Sequence, residues 1–195
     1  MKRVVVINSC VRGKDSRTLK IADSILNHFK DECEVNEIDL NKLNLVPYNS
    51  ESFDEMCKKG VDAKFYILSK QIAASDILFI KAPFWDMGIP ALLKTFLEKI
   101  SIADVMFKDD GKTCTGISYL TNMFYVTTRG MNIEDGSELE QATPYLKALC
   151  FLWGIDSFES VSAYNLDYSS EEEINKKINE AIKLGIEKFG KVLKK

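Results

Sequence analysis

Ser9-Cys10-Val11-Arg12-Gly13-Lys14-Asp15-Ser16-Arg17-Thr18 gathers three hydroxyls, two guanidiniums and a glycine into one short stretch. A helix opening at Ser16 would turn unpaired N–H groups and a partial positive charge toward this segment, a setting that favours a phosphate. Ser9, Ser16 and Thr18 add hydroxyl donors, Arg12 and Arg17 add charge, and Gly13 permits a tight turn. By itself the stretch reads equally well as a plain helix cap at Ser16. It contains neither a Walker A pattern nor G-x-G-x-x-G. The phosphate expected here is therefore neither that of a nucleoside triphosphate nor a pyrophosphate held in the usual dinucleotide manner.

Two further segments carry chemistry of a different kind. Ala82-Pro83-Phe84-Trp85-Asp86-Met87-Gly88-Ile89-Pro90 sets two large aromatics and a methionine between prolines. Phe84 and Trp85 fall between regular elements rather than on a helical or strand stripe, so they read as a wall for a flat ring system. Thr127-Thr128-Arg129-Gly130 offers hydroxyls and backbone amides that could meet the edge of a heteroaromatic ring, with Gly130 allowing close approach. Alone, this third segment is an ordinary turn with a solvated arginine. The conjunction of all three gives it meaning.

The elements that must position these segments follow from apolar periodicity. Strands are expected at Arg3 to Asn8, Glu34 to Leu40, Asp76 to Ala82, Asn122 to Thr127 and Phe158 to Ala163. Helices are expected from Ser16, over Ala63 to Ser75, through the Ile89–Ile100 stripe with Pro90 in its first turn, from Thr143 to Gly154, and after the Ser170/Glu173 capping box. Five strands alternating with five helices imply an α/β fold: a doubly wound, five-stranded parallel sheet with helices on both faces. Residues 1–195 read as one such domain. In such sheets ligands bind beyond the carboxyl ends of the strands, where all three segments lie. Two longer connections, Asn41 to Asp62 and Ile102 to Thr121, are expected to supply lids or partner contacts.

Composition narrows the function. A net charge of -3 with no basic face gives nucleic acid no electrostatic footprint. The apolar runs, such as Val4 to Ile7 and Ile77 to Ile80, are far too short for a membrane span or an export signal. The five cysteines are irregularly spaced and contain no C-x-x-C, which points to reduced thiols in a cytoplasm and to no metal site. His28, the sole histidine, falls off the apolar stripe of its helix and reads as a surface residue. Cys10 sits where a helix terminus could lower a thiol pKa, yet no base is visible beside it.

With all three segments in place, the chain resembles the FMN-dependent NADH-azoreductases and related NAD(P)H–quinone reductases of the flavodoxin-like fold. The resemblance implies that Ser9, Ser16, Arg17 and Thr18 hold the FMN phosphate. Pro83, Phe84, Trp85, Asp86 and Met87 fall on isoalloxazine-binding positions, matching a family segment of the type Ala-Pro-Met-Tyr-Asn-Phe. Thr128, Arg129 and Gly130 match a Ser-Arg-Gly-Gly motif at the flavin edge. It further implies NADH or NADPH as donor, a small aromatic acceptor (quinone, azo or nitro compound), ping-pong turnover with no catalytic acid or base, and a homodimer. Phe107, Phe124 and Tyr125 could then line a pocket shared between subunits, although plain packing within the fourth strand is the better reading for at least one of Phe124 and Tyr125. Two departures stand out: Asp86 replaces the family's asparagine, and Met131 its second glycine. The alternatives are a flavodoxin-type electron carrier, a flavin reductase, or a non-catalytic ligand-sensing protein on the same fold. A phosphoreceiver is disfavoured, because Asn8-Ser9 and Ala82-Pro83 stand where it needs acidic residues.

Overall fold

The β-branched run Val4 to Ile7 becomes the middle of strand β1 (Lys2–Asn8), buried on both faces as a strand inside a parallel sheet must be. The computed structural model, which describes residues 1–195, continues with α1 (Arg17–His28), β2 (Cys33–Asp39), α2 (Ser50–Lys59), α3 (Ala63–Ala73) and β3 (Ile77–Lys81). Then follow α4 (Ala91–Ile100), β4 (Phe107–Asp109), β5 (Cys114–Gly116), β6 (Asn122–Thr128), α5 (Ala142–Trp153), β7 (Ser157–Ala163) and α6 (Glu171–Leu193). The main sheet has the order β2-β1-β3-β6-β7, with every pair parallel. This is the doubly wound arrangement expected from the sequence. The winding direction reverses between β1 and β3, so the crevice for a ligand opens where the loops after these two strands leave the sheet.

Side chains alternate between two cores, as the two-residue strand period requires. Val5, Ile7, Leu78, Ile80, Met123 and Tyr125 pack toward α3, α4 and α5. Val4, Val6, Ile77, Phe79, Phe124 and Val126 pack toward α1 and α6. The helix signals read from the sequence act where expected. Ser16 caps α1 by accepting the Leu19 amide, Gly154 ends α5 at φ 75°, and Ser170 and Glu173 close a capping box on α6. No helix is long and apolar enough to cross a membrane.

Both long connections hold structure of their own. The first carries α2, which buries no residue and is started by a capping box between Asn49 and Ser52. Phe53, Met56 and Cys57 give it one short stripe at helical spacing, and the Asn49/Ser52 pair is a readable start signal. The second folds into the antiparallel hairpin β4–β5 around Asp110-Gly111, with Gly111 at φ 81° and Asp110 Oδ1 accepting the amides of Lys112 and Thr113, each at 2.8 Å. An Asp-Gly pair is a hairpin signal, but three-residue strands are too short to show alternation.

The hairpin docks on the end of α5 by bare backbone. A Cβ on Gly116 would lie 1.9 Å from the Gly154 nitrogen. Gly116→Ala is expected to push the hairpin off α5 and cost about 2 kcal/mol of stability, read as a lower urea midpoint. An unchanged midpoint would mean that the hairpin yields without loss.

Candidate functional site

The carboxyl ends of β1, β3, β6 and β7 surround a cavity of about 160 Å³. Ser16, Arg17, Thr18, Pro83, Phe84, Trp85, Thr128, Arg129 and Gly130 all line it, joined by Cys10, Val11, Arg12, Leu166 and Asp167. The three chemistry-bearing segments therefore converge. Ser9, Asp86 and Met87 do not reach the cavity wall.

The first loop is fastened to the last residue of β3. The carbonyl of Lys81 accepts from the Ser9 amide (3.0 Å), the Ser9 hydroxyl (3.4 Å) and the Cys10 thiol (3.6 Å). Ser9 is fully buried, so its hydroxyl shapes the loop from within. Asn8 Oδ1 accepts the Cys10 amide at 3.0 Å and tightens the bend. Burial pushes the Cys10 thiol up to about 11, against a hydrogen bond with Ser16 and the nearby Lys81 charge. At neutral pH it is therefore a protonated packing group and no nucleophile.

Beneath the loop, Lys81 is 2% exposed and its Nζ donates to Asp23 Oδ1 and Glu37 Oε2, both at 2.8 Å. Burial works against its charge, yet hydrogen bonds to the two carboxylates outweigh it and the pKa rises. A lone lysine within Asp76 to Ala82 was the available sign of this ion cluster, hidden because the run otherwise reads as pure core.

At the start of α1, Ser16 Oγ accepts the Leu19 amide at 3.2 Å. The other amides of the first turn have no intrahelical acceptor, which leaves donors free to face the cavity. Thr18 and Thr128 share a hydroxyl–hydroxyl bond of 2.7 Å that ties α1 to the end of β6. Arg17 Nη1 meets Asp167 Oδ1 at 2.9 Å across the mouth.

The second loop closes as a two-residue turn. Trp85 N donates to Gly88 O at 3.0 Å and Gly88 N to Trp85 O at 2.8 Å, with Asp86 at φ 47° and Met87 at φ 65°. Both central residues are left-handed, a geometry that Asn and Asp tolerate better than other side chains. Asp86 and Met87 are both exposed, and Trp85, 42% exposed, is the aromatic face left open. The Met87 carbonyl accepts the Gln141 amide at 2.9 Å, which braces the turn against α5.

The third loop departs most from the sequence reading. Arg129 is neither a solvated charge nor a ligand-facing guanidinium. It is 1% exposed, donates to the Ile133 carbonyl at 2.8 Å, pairs with Asp135 and stacks over Phe84 at 5.3 Å. Glu140, also 1% exposed, lies 4.0 Å from it and caps α5 through the amides of Ala142 and Thr143, each at 3.0 Å. Tyr125 Oη, Thr127 Oγ1, Arg129 Nε and Glu140 Oε2 are buried here without a partner in the chain. The cation is thus the centre of a buried clamp. What the third loop has left for a ligand is the Gly130 amide, since the Arg129 amide and carbonyl and the Gly130 carbonyl are bonded to Ala163, Leu166 and Asp167.

Phe124 and Tyr125 do not line a shared pocket. Both are fully buried, Phe124 stacking on Phe79 at 5.2 Å and Tyr125 facing the opposite core. Phe107 instead belongs to a second, larger groove of about 1030 Å³. Residues of both long connections line it, among them Tyr48, Phe53 and Ile102, opposite Tyr145 and Leu152 of α5. His28 is exposed, and Trp153 is core, its Nε1 donating to Ser101 at 3.0 Å.

A family model described as Flavodoxin-like fold matches residues 2–184. A curated FMN-dependent NADH:quinone oxidoreductase of Clostridium perfringens is 27% identical over 198 residues, covering 94% of this chain and 98% of its own. One from Clostridium beijerinckii is 29% identical over 191 residues, covering 93% and 95%. Among solved structures, an FMN-dependent NADH-azoreductase of Bacillus anthracis in complex with FMN superposes with a TM-score of 0.78 at 20% identity, covering 95% of this chain and 98% of that one.

Proposed function

The chain belongs to the flavodoxin-like fold family, and from that premise we propose that it is an FMN-dependent oxidoreductase, one FMN-binding domain over residues 1–195 that passes reducing equivalents from NADH or NADPH to quinone, azo or nitroaromatic acceptors. The observation that carries this reading is the convergence of an anion-binding helix start, an open tryptophan face and a glycine-edged loop on one cavity at the switch point. The residues fit the group: the Ser16–Thr18 amides and hydroxyls suit its phosphate, Phe84 and Trp85 its ring, and the uncommitted Gly130 amide its polar edge. Bound FMN supplies the two-electron relay between donor and acceptor.

The chain's own part is to bind, orient and tune. The first loop, pinned to Lys81, holds the anion end still. The braced turn at Trp85–Gly88 keeps the aromatic face beside it, and no side chain here is assigned as acid or base. Trp85 leaves one stacking place, used in turn by donor and acceptor, so initial-rate plots are expected to be parallel; intersecting lines would reject the shared place. We place the chain in the cytoplasm, in keeping with five cysteines free of disulfides, and as a homodimer joined through the apolar groove at Phe107. A single monomeric species in sedimentation at several concentrations would remove the dimer.

The chain purified without added flavin is expected to be yellow, to release about one FMN on heating, and to bleach with NADH or NADPH. Colourless protein that takes up no FMN would sink the proposal. Asp86 adds a chain-specific term: it lies outside the cavity wall, but its charge on the exposed turn next to Trp85 disfavours the reduced, negatively charged flavin through solvent. Asp86→Asn, which keeps a residue tolerant of the left-handed turn, is expected to raise the midpoint potential by roughly 20 mV, the scale of one screened surface charge on a two-electron couple. An unchanged midpoint in a redox titration would remove Asp86 from the tuning.

A further inference from the structure

Between the anion end of the cavity and its aromatic end stands a carboxylate for which the function above has no use. Asp167 follows β7 and is carried into the cavity wall by three backbone bonds to the third loop. Asn165 N donates to Met131 O (2.8 Å), Leu166 N to Arg129 O (3.2 Å) and Asp167 N to Gly130 O (3.0 Å). Leu166, 1% exposed, anchors the segment in the core below. Oδ1 of Asp167 accepts from Arg17. Oδ2 hangs over Gly130, where a Cβ would lie only 1.8 Å from it. The glycine thus makes room for this carboxylate.

A carboxylate fixed in the wall of a phosphate cavity is unfavourable by charge alone. Nor does pairing with Arg17 account for it. Their side chains are 65% and 34% exposed, and surface pairs of this kind contribute little and need no such anchoring. An ionised carboxylate is a pure acceptor whose best uncharged partners are hydroxyl groups. Asp167 spans from Arg17, at the anion end, to the space over Gly130, at the ring-edge loop. In a ligand whose phosphate sits at Ser16–Thr18 and whose ring meets the Gly130 amide and Trp85, the part nearest Asp167 is therefore the linker. In FMN that linker is a polyol.

We propose that Asp167 is a specificity-determining residue that accepts hydroxyls of the ribityl chain, selecting flavins with a polyol between ring and phosphate. Arg17 neutralises the carboxylate, so it can stand near a phosphate without expelling it. The inference rests on the FMN reading, and its test separates the two.

The full chain, freed of flavin, is titrated with FMN, with riboflavin (ring and polyol, no phosphate) and with lumiflavin (ring alone), following flavin fluorescence. Asp167→Ala is expected to weaken FMN and riboflavin by a similar factor of about 10 and to leave lumiflavin within about twofold. Asp167→Asn, which keeps one acceptor oxygen and nearly the same shape, is expected to fall between, and thermal melts verify that both variants fold. A loss confined to FMN would overturn the proposal in favour of a carboxylate that only orients Arg17. Tighter FMN binding would overturn it by making Asp167 a rival of the phosphate, and an equal loss for all three ligands would reduce it to general disruption. A wild-type chain that binds none of the three would overturn the FMN reading itself, and this inference with it.

Discussion

Arg129→Met is expected to lower the unfolding free energy by about 3–5 kcal/mol, the range for removing one partner of a buried ion pair. Methionine fills much of the same space, so the loss is electrostatic more than a cavity effect. The guanidinium is the cation of a buried polar group: it holds the Ile133 carbonyl and Asp135, and it faces Glu140 at 4.0 Å. Asp135 is half-exposed and returns to water when the arginine goes. Glu140 cannot, because it is 1% exposed and its Oε2 already lacks a partner. Asp135→Asn is accordingly expected to cost under about 1 kcal/mol. Arg129→Met combined with Glu140→Gln is expected to recover roughly 1–2 kcal/mol relative to additivity. Urea midpoints of the four proteins check the cycle. A loss below about 1 kcal/mol for Arg129→Met would show that the clamp contributes little and that Arg129 is free to serve a ligand.

The same residue shows where the sequence stops being legible. Thr128-Arg129-Gly130 was placed correctly at the end of β6, because strand periodicity and a turn glycine locate a loop. The direction of a long side chain within the loop depends on Ile133, Asp135 and Glu140, and nothing in local spacing reports that these fold back over it. Core packing, the better reading for at least one of Phe124 and Tyr125, holds for both. A strand in a central parallel sheet buries both faces, so neighbouring aromatics there enter opposite cores. The sheet, its order and the helix caps were legible because they follow from apolar runs and single capping residues. Helix α2 was not, since its only stripe, Phe53, Met56 and Cys57, is a single turn long and set among charged residues. Asp167 lies in a fourth loop, after β7, and has no motif around it. Its importance arises from the missing Cβ of Gly130, thirty-seven residues away in the chain (167 − 130), and only the fold brings the two together.

Ser16→Asp is expected to abolish tight FMN binding, by at least about 100-fold, while leaving the protein folded. The two effects separate because Ser16 has two roles with opposite sensitivities to charge. As the N-cap of α1 it accepts the Leu19 amide, and aspartate is as good a cap as serine and suits the positive end of the helix dipole. Melting temperature is therefore expected to stay within a few degrees. As part of the anion site, the new carboxylate would occupy the place that the phosphate needs and oppose a group carrying about -1.5 to -2 charges. At ~5 Å and an effective dielectric of ~20, each unit of that charge is opposed by about 3 kcal/mol, which exceeds a factor of 100 in affinity. Riboflavin lacks the phosphate, so its affinity is expected to change by less than about threefold. Ser16→Ala gives the complementary result, a loss of about 1 kcal/mol of helix capping with only a modest loss of FMN, because the amides of the first turn remain. If Ser16→Asp bound FMN as tightly as the wild type, the phosphate would not lie at the start of α1, and the orientation of the ligand along the cavity would have to be reversed. If riboflavin were lost together with FMN, the substitution would be disturbing the ring site, and the division of the cavity into an anion end and an aromatic end would fail.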